Sequence, residues 1–174
     1  MHAQTPELRV QLTKRTDGAV VLRGVRADGS VTWQRQDGRN ALFFPFHDLT
    51  HFAVETTLDF RQGFYGLLAD GWEIADTGGK GARGPLPAEA VLVEHIVGLF
   101  DRERVGGATP LSATDFNAQV ARLVAAGRVA AAPTFTDEQL AATRARIDAL
   151  HDEWAALAPG ATLELSFRRP GPAP

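Results

Sequence analysis

Two Asp-Gly pairs, Asp17-Gly18 and Asp28-Gly29, constrain this chain more than any other local feature. Each stands between short runs of strand-like residues, and Asp-Gly readily supplies the positive-φ backbone of a tight hairpin turn. Leu8, Val10 and Leu12 alternate with Arg9, Gln11 and Thr13, the period-two pattern of a strand buried on one face. Residues 19–26 are rich in valine, and Val31 with Trp33 marks the expected inward face of a third strand. Residues 7–36 are therefore predicted to form an antiparallel meander. Its outward face is predicted to carry Arg9, Arg23, Arg26 and Arg35, interspersed with acids and solvated. Far along the chain, Leu163, Leu165 and Phe167 alternate with Thr162, Glu164 and Ser166. That fourth strand has no sequence-local partner and is expected to join the meander.

The segments between read as helices. Asp37-Gly38-Arg39-Asn40 is a predicted turn, and Phe43, Phe44 and Phe46 are expected core rings ahead of the first helix. Pro45 fits a first helical turn, where its missing N–H is no loss. At 100° per residue, Leu49, Phe52, Ala53, Thr56 and Phe60 share one face. His47, His51, Val54 and Leu58 share a second stripe, and Asp48, Glu55 and Asp59 a third. Apolar surface on two sides predicts a helix sandwiched between layers.

A second helix is predicted from about 64 to 75. Next comes an almost wholly apolar helix over 87–104, interrupted by Glu94 and His95. Ser112-Ala113-Thr114-Asp115 and Thr136-Asp137-Glu138-Gln139 look like capping boxes that open two more. The expected fold is α+β: an antiparallel sheet of three or four strands, the N-terminal meander plus the C-terminal strand, packed against four or five helices. Residues 1–169 form one domain in this reading, and 170–174 a disordered tail.

Composition removes several classes of function. Among 174 residues there is no cysteine, so a thiolate nucleophile, a zinc ribbon and an iron–sulfur cluster are excluded. A net charge of −3 argues against general nucleic-acid binding, which favours a basic surface. No run approaches the roughly 18 apolar residues of a membrane span, and residues 1–6 lack a signal-peptide core, so the cytoplasm is the default address. The glycine-rich 77–84 segment holds Lys80 but lacks the order of a phosphate-binding loop.

The chemistry concentrates in Phe46-His47-Asp48-Leu49-Thr50-His51-Phe52-Ala53-Val54-Glu55. Histidines four apart on a helix sit one turn apart and can share a metal ion. His47 and His51 are thus candidate ligands for a divalent metal such as zinc. Asp48 is the candidate to handle a bound water, although it is one methylene shorter than a glutamate. Glu55 lies about 12 Å along the axis from His47 and is better placed to orient His51. Glu73 is the leading candidate for a third ligand, with a solvated acidic face as its alternative, and His95 is in reserve. His151 is expected to face solvent.

HDLTHFAVE followed by Gly63-Phe64-Tyr65-Gly66 resembles a small group of bacterial proteins with an HDLxHxxVE-type helix and a Gly-aromatic-Gly segment, a group that carries no known activity to transfer. His47-Asp48-x-x-His51 is also similar, in part, to the HExxH helix of zinc hydrolases, and that likeness implies metal-dependent hydrolysis. The rival expectation is a non-catalytic protein-interaction or scaffold domain with structural histidines. The partner stays open, with a homo-oligomer or another protein as the options.

Overall fold

The computed structural model describes residues 7–81, 83–107 and 109–168. Three strands come first, β1 (Glu7–Lys14), β2 (Val20–Arg26) and β3 (Val31–Gln36). Helices α1 (Arg39–Thr57) and α2 (Phe64–Ala69) follow, then a 3-10 turn over Ile74–Asp76. Helices α3 (Ala88–Gly106), α4 (Ala113–Ala125) and α5 (Asp137–Ala156) lead to β4 (Thr162–Arg168). The order β3-β2-β1-β4, antiparallel throughout, makes the α+β architecture that the alternation predicts.

Both Asp-Gly turns form, with Gly18 and Gly29 at φ +84. β4 pairs with β1 so that Leu163 faces Leu12, Leu165 faces Val10 and Phe167 faces Leu8. Leu8, Val10, Leu12 and Phe167 are fully buried under the helices. Removing each such side chain from water favours folding by about 1.5–3 kcal/mol.

Helix α1 runs through the middle of the molecule, against α2, α3 and α5 and touching the sheet. Every residue from Asp48 to Glu55 is buried, so the expected sandwiching holds. Its start differs from expectation. The helix begins at Arg39, capped by Gly38 at φ 55, and Pro45 lies inside it. The proline removes one helical N–H donor. Packing along 48–55 carries the helix through that defect. Because the helix starts early, Phe43 lies on an exposed turn and Phe44 and Phe46 are only half-buried; they are not the enclosed core rings expected.

The third strand has the opposite facing from that predicted. Trp33 is 63% exposed, while Thr32 and Gln36 point inward. The Asp28-Gly29 turn sets Val31 opposite Val25 and Trp33 opposite Arg23, which puts Trp33 on the arginine face. Thr32 Oγ1 accepts from Ile74 N at 3.0 Å and Gln36 Nε2 donates to Asp48 Oδ2 at 3.2 Å, while the buried Gln36 Oε1 has no partner among the described residues. Arg26 leaves the solvated face as well. Its guanidinium donates to Leu68 O and Trp72 O, both at 2.6 Å, and meets Glu73 Oε1 at 3.3 Å.

Helix α2 ends at Ala69, six residues before the predicted limit, because Gly71 at φ +89 turns the chain. Both capping signals are realised. Ser112 Oγ accepts from Asp115 N, and Thr136 and Gln139 bond reciprocally. Among the described residues no helix is long and apolar enough to cross a membrane. The predicted tail, 170–174, lies outside the described residues.

Candidate metal centre

His47 and His51 project from α1 toward α3. Their rings meet edge to face, with centroids 4.8 Å apart. His47 pairs with Asp101 and His51 with Glu94, so α1 and α3 run antiparallel where they meet. One ligand atom each from His47, His51 and Glu94 lie within 4.8 Å of one another. His51 Nε2 stands 3.3 Å from Glu94 Oε1. Bonds of about 2.1 Å give a tetrahedral ion ligand–ligand edges of about 3.4 Å, which the His51–Glu94 pair matches, while the spread of up to 4.8 Å across the three has to close before one ion bonds them all.

The other ring nitrogens are held by carboxylates. His51 Nδ1 lies 3.3 Å from Glu55 Oε1, and His47 Nδ1 lies 2.8 Å from Asp101 Oδ2. A histidine that donates Nδ1–H to a carboxylate keeps its Nε2 lone pair for a metal. Glu55 is itself fixed: Tyr65 N donates to Oε2 at 3.0 Å and Gly66 N at 3.2 Å, both from the opening turn of α2. Gly63 makes room for it, since a Cβ there would stand 2.6 Å from Glu55 Oε2 and 2.7 Å from Cγ. Gly66 is equally confined, because a Cβ would run into the Arg61 carbonyl. The Gly-Phe-Tyr-Gly segment is therefore the cradle of Glu55.

Burial alone would depress the His51 pKa. Hydrogen bonds and charge from Glu55 and Glu94 outweigh it and raise the pKa to about 10. Burial raises Glu55 despite the pull of His51. Glu94 is lowered: burial pushes it up, but the hydrogen bond and charge of His51, with His47 and His95 behind them, more than offset that. Without metal, His51 is an imidazolium clasped by two carboxylates, and a divalent cation would take the place of its proton. Phe43 stacks on His47 at 5.5 Å and Phe64 tilts over His51 at 5.6 Å, while the Glu94 side chain remains 46% exposed. The centre is walled by rings and open on the α3 side.

Of the predicted residues, the fold brings together His47, His51 and Glu55, with Glu55 Oε1 3.3 Å from His51 Nδ1. Glu73 is not in the group; it is engaged by Arg26 with its side chain 55% exposed. Glu94 stands where Glu73 was expected. Asp48 is buried beside Gln36 on β3, and burial raises its pKa to about 6, partly offset by the Gln36 hydrogen bond. His95 is half-buried next to Glu94 but outside the ligand group. Asp101 went unpredicted, although it follows Glu94 by two turns on the same stripe of α3, at the start of the charged run Asp101-Arg102-Glu103-Arg104. His151 is not solvent-facing: it is 7% exposed, its Nε2 2.9 Å from Phe46 O and 3.2 Å from Thr50 Oγ1. It lies just off the apolar stripe of α5, and helical phase alone gave no sign that α1 would cover it.

No family model matches the chain, and neither curated proteins nor solved structures give a significant match.

Proposed function

We propose that the chain is a metal-dependent enzyme of hydrolytic type, in which His47, His51 and Glu94 hold a divalent ion such as zinc. One observation carries the reading: three ligand atoms converge within 4.8 Å while both histidines have Nδ1 on a carboxylate. Two imidazoles and one carboxylate, with solvent on the Glu94 side, are a donor set of catalytic zinc sites that keep a fourth position open. Held by His47, His51 and Glu94, a zinc ion would supply Lewis acidity, bringing a neighbouring water's pKa to near 7. Glu55 and Asp101 would orient the two rings, and His51 would have to give up its proton to solvent for Nε2 to bind an ion. Asp48, committed to Gln36, serves the buried α1–β3 contact rather than the water.

The test is elemental analysis of the purified protein, followed by zinc titration and turnover of p-nitrophenyl acetate and p-nitrophenyl phosphate. One equivalent of metal is expected, with turnover abolished by chelator and restored by zinc. Glu94→Gln should lose the metal with the fold intact. Absence of stoichiometric metal in protein titrated with zinc, manganese and iron rejects the reading.

The second reading is a non-catalytic scaffold or interaction domain. It is favoured by His51 lying between Glu55 and Glu94 as a buried ion pair that pins α1 to α3 without any metal. Under it, Glu94→Gln alters stability and nothing else.

A further inference from the structure

A chain of polar side chains leads away from the candidate centre into α5. His47 Nδ1 is 2.8 Å from Asp101 Oδ2, and Asp101 Oδ1 is 3.3 Å from Thr50 Oγ1. Thr50 Oγ1 is 3.2 Å from His151 Nε2 and 2.9 Å from Phe46 O, and His151 Nε2 is 2.9 Å from that same carbonyl. The hydroxyl of Thr50 has one proton and two acceptors competing for it, Phe46 O and Asp101 Oδ1. His151 decides the contest. A carbonyl can only accept, so the Nε2 that lies 2.9 Å from Phe46 O carries a proton and donates it there, and burial lowers the pKa of the ring. With His151 Nε2–H and the helix amide on the Phe46 carbonyl, Thr50 is free to give its proton to the carboxylate, the stronger acceptor, although Phe46 O is the nearer of the two at 2.9 Å against 3.3 Å. Asp101, fixed on one oxygen by Thr50, turns the other to His47 Nδ1–H and leaves the His47 Nε2 lone pair for a ligand.

We propose that His151 and Thr50 are positioning residues for the metal centre, acting through Asp101 to fix the ring orientation and tautomer of His47. The inference rests on the metal-binding reading for its effect on affinity, but the tautomer stands independently of any ion. Partners beyond the ligands of a metal site commonly change affinity by about tenfold or more. Removing the Nε2–H of His151 returns the Thr50 proton to Phe46 O, the usual i−4 acceptor of a helical threonine. Asp101 then loses its anchor, and His47 loses its preference for Nδ1–H.

The variants are His151→Leu, His151→Gln, Thr50→Val and Thr50→Ser. Glutamine can place a donor near the position of Nε2, and serine keeps the hydroxyl. Two quantities are read: zinc affinity by competition with a chromophoric chelator, and the His47 tautomer in metal-free protein by long-range proton–nitrogen correlation. Expected are an about tenfold weaker zinc Kd for His151→Leu and Thr50→Val, together with loss of the single Nδ1–H form. His151→Gln and Thr50→Ser should stay close to the parent in both. If His151→Leu does not fold, the threonine pair decides alone. Should the parent bind no zinc, the metal reading fails and the tautomer in the metal-free variants still decides this one. A His47 tautomer unchanged in Thr50→Val and His151→Leu overturns the proposal, as does an equal loss in all four variants.

Discussion

The tightest steric dependence in the centre is that of Glu55 on Gly63, and Gly63→Ala probes it directly. The backbone at Gly63, φ −74 and ψ −166, is open to alanine, so no torsional strain enters. The added methyl would stand 2.6–2.7 Å from Oε2 and Cγ of Glu55, a fully buried side chain. Overpacking of this kind costs about 1–3 kcal/mol. Moving the carboxylate also stretches its bonds from Tyr65 N, Gly66 N and His51, and a hydrogen bond to a charged group contributes about 1.5–3 kcal/mol. A loss of about 3 kcal/mol follows, which lowers Tm by about 6–12 °C in a chain of this size. Urea unfolding in chelator, read at constant m, measures it. Glycine also caps α2, and its replacement there carries a penalty of about 0.5–1 kcal/mol that owes nothing to Glu55. The decisive comparison is therefore Gly63→Ala in a Glu55→Ala background, where only that small cap cost should remain. An equal loss in both backgrounds would refute the cradle argument.

Asp48→Asn should stabilise the protein at pH 7. Burial raises the Asp48 pKa from 3.8 to about 6, so its stabilising protonated state is present below the unfolded pKa and lost as pH rises through about 6. Asparagine is neutral throughout, and its amide can donate to the unpartnered buried Gln36 Oε1. Urea unfolding should favour the variant by about 3 kcal/mol at pH 7 and by far less near pH 4; a less stable variant at pH 7 refutes this. Glu73→Gln should leave metal content untouched and cost below about 1 kcal/mol, since its pairing with Arg26 is half-exposed; loss of metal on elemental analysis would restore Glu73 as a ligand. Thr136→Ala removes one half of a reciprocal cap on α5 and should cost about 1 kcal/mol by thermal melting, with no change in zinc affinity.

Alternation, turn chemistry and caps were legible because each is a short-range constraint. Asp17-Gly18 and Asp28-Gly29 turn where their dihedrals demand, Thr136 caps because Gln139 answers it, and β4 joins β1 because it has no other partner. The histidine pair and the contact of Glu55 with His51 were legible for the same reason, being fixed by the pitch of one helix. What the sequence concealed is inter-element pairing. Glu94 and Glu73 look alike as isolated acids, and only the antiparallel packing of α1 on α3 brings one of them to His51. Trp33 misled because large apolar residues usually mark the inside, whereas here Thr32 and Gln36 are needed inward to satisfy Ile74 N and Asp48. His151 lies just off its own helix's stripe and is enclosed only because α5 packs on α1.

The bond between Gln11 and Glu164 spans 153 positions, and the strand pair it decorates cannot exist until the ribosome has made both ends. At about 5–20 residues per second, the β1 edge waits for roughly 8–30 s in every round of translation. Throughout that time a half-apolar ribbon offers unsatisfied amides to any neighbouring chain. The arginines of the meander, Arg9 and Arg23 foremost, lie on that emerging ribbon. Like charges on sister chains oppose its stacking until β4 arrives, which gives the solvated face a task during birth as well as after it.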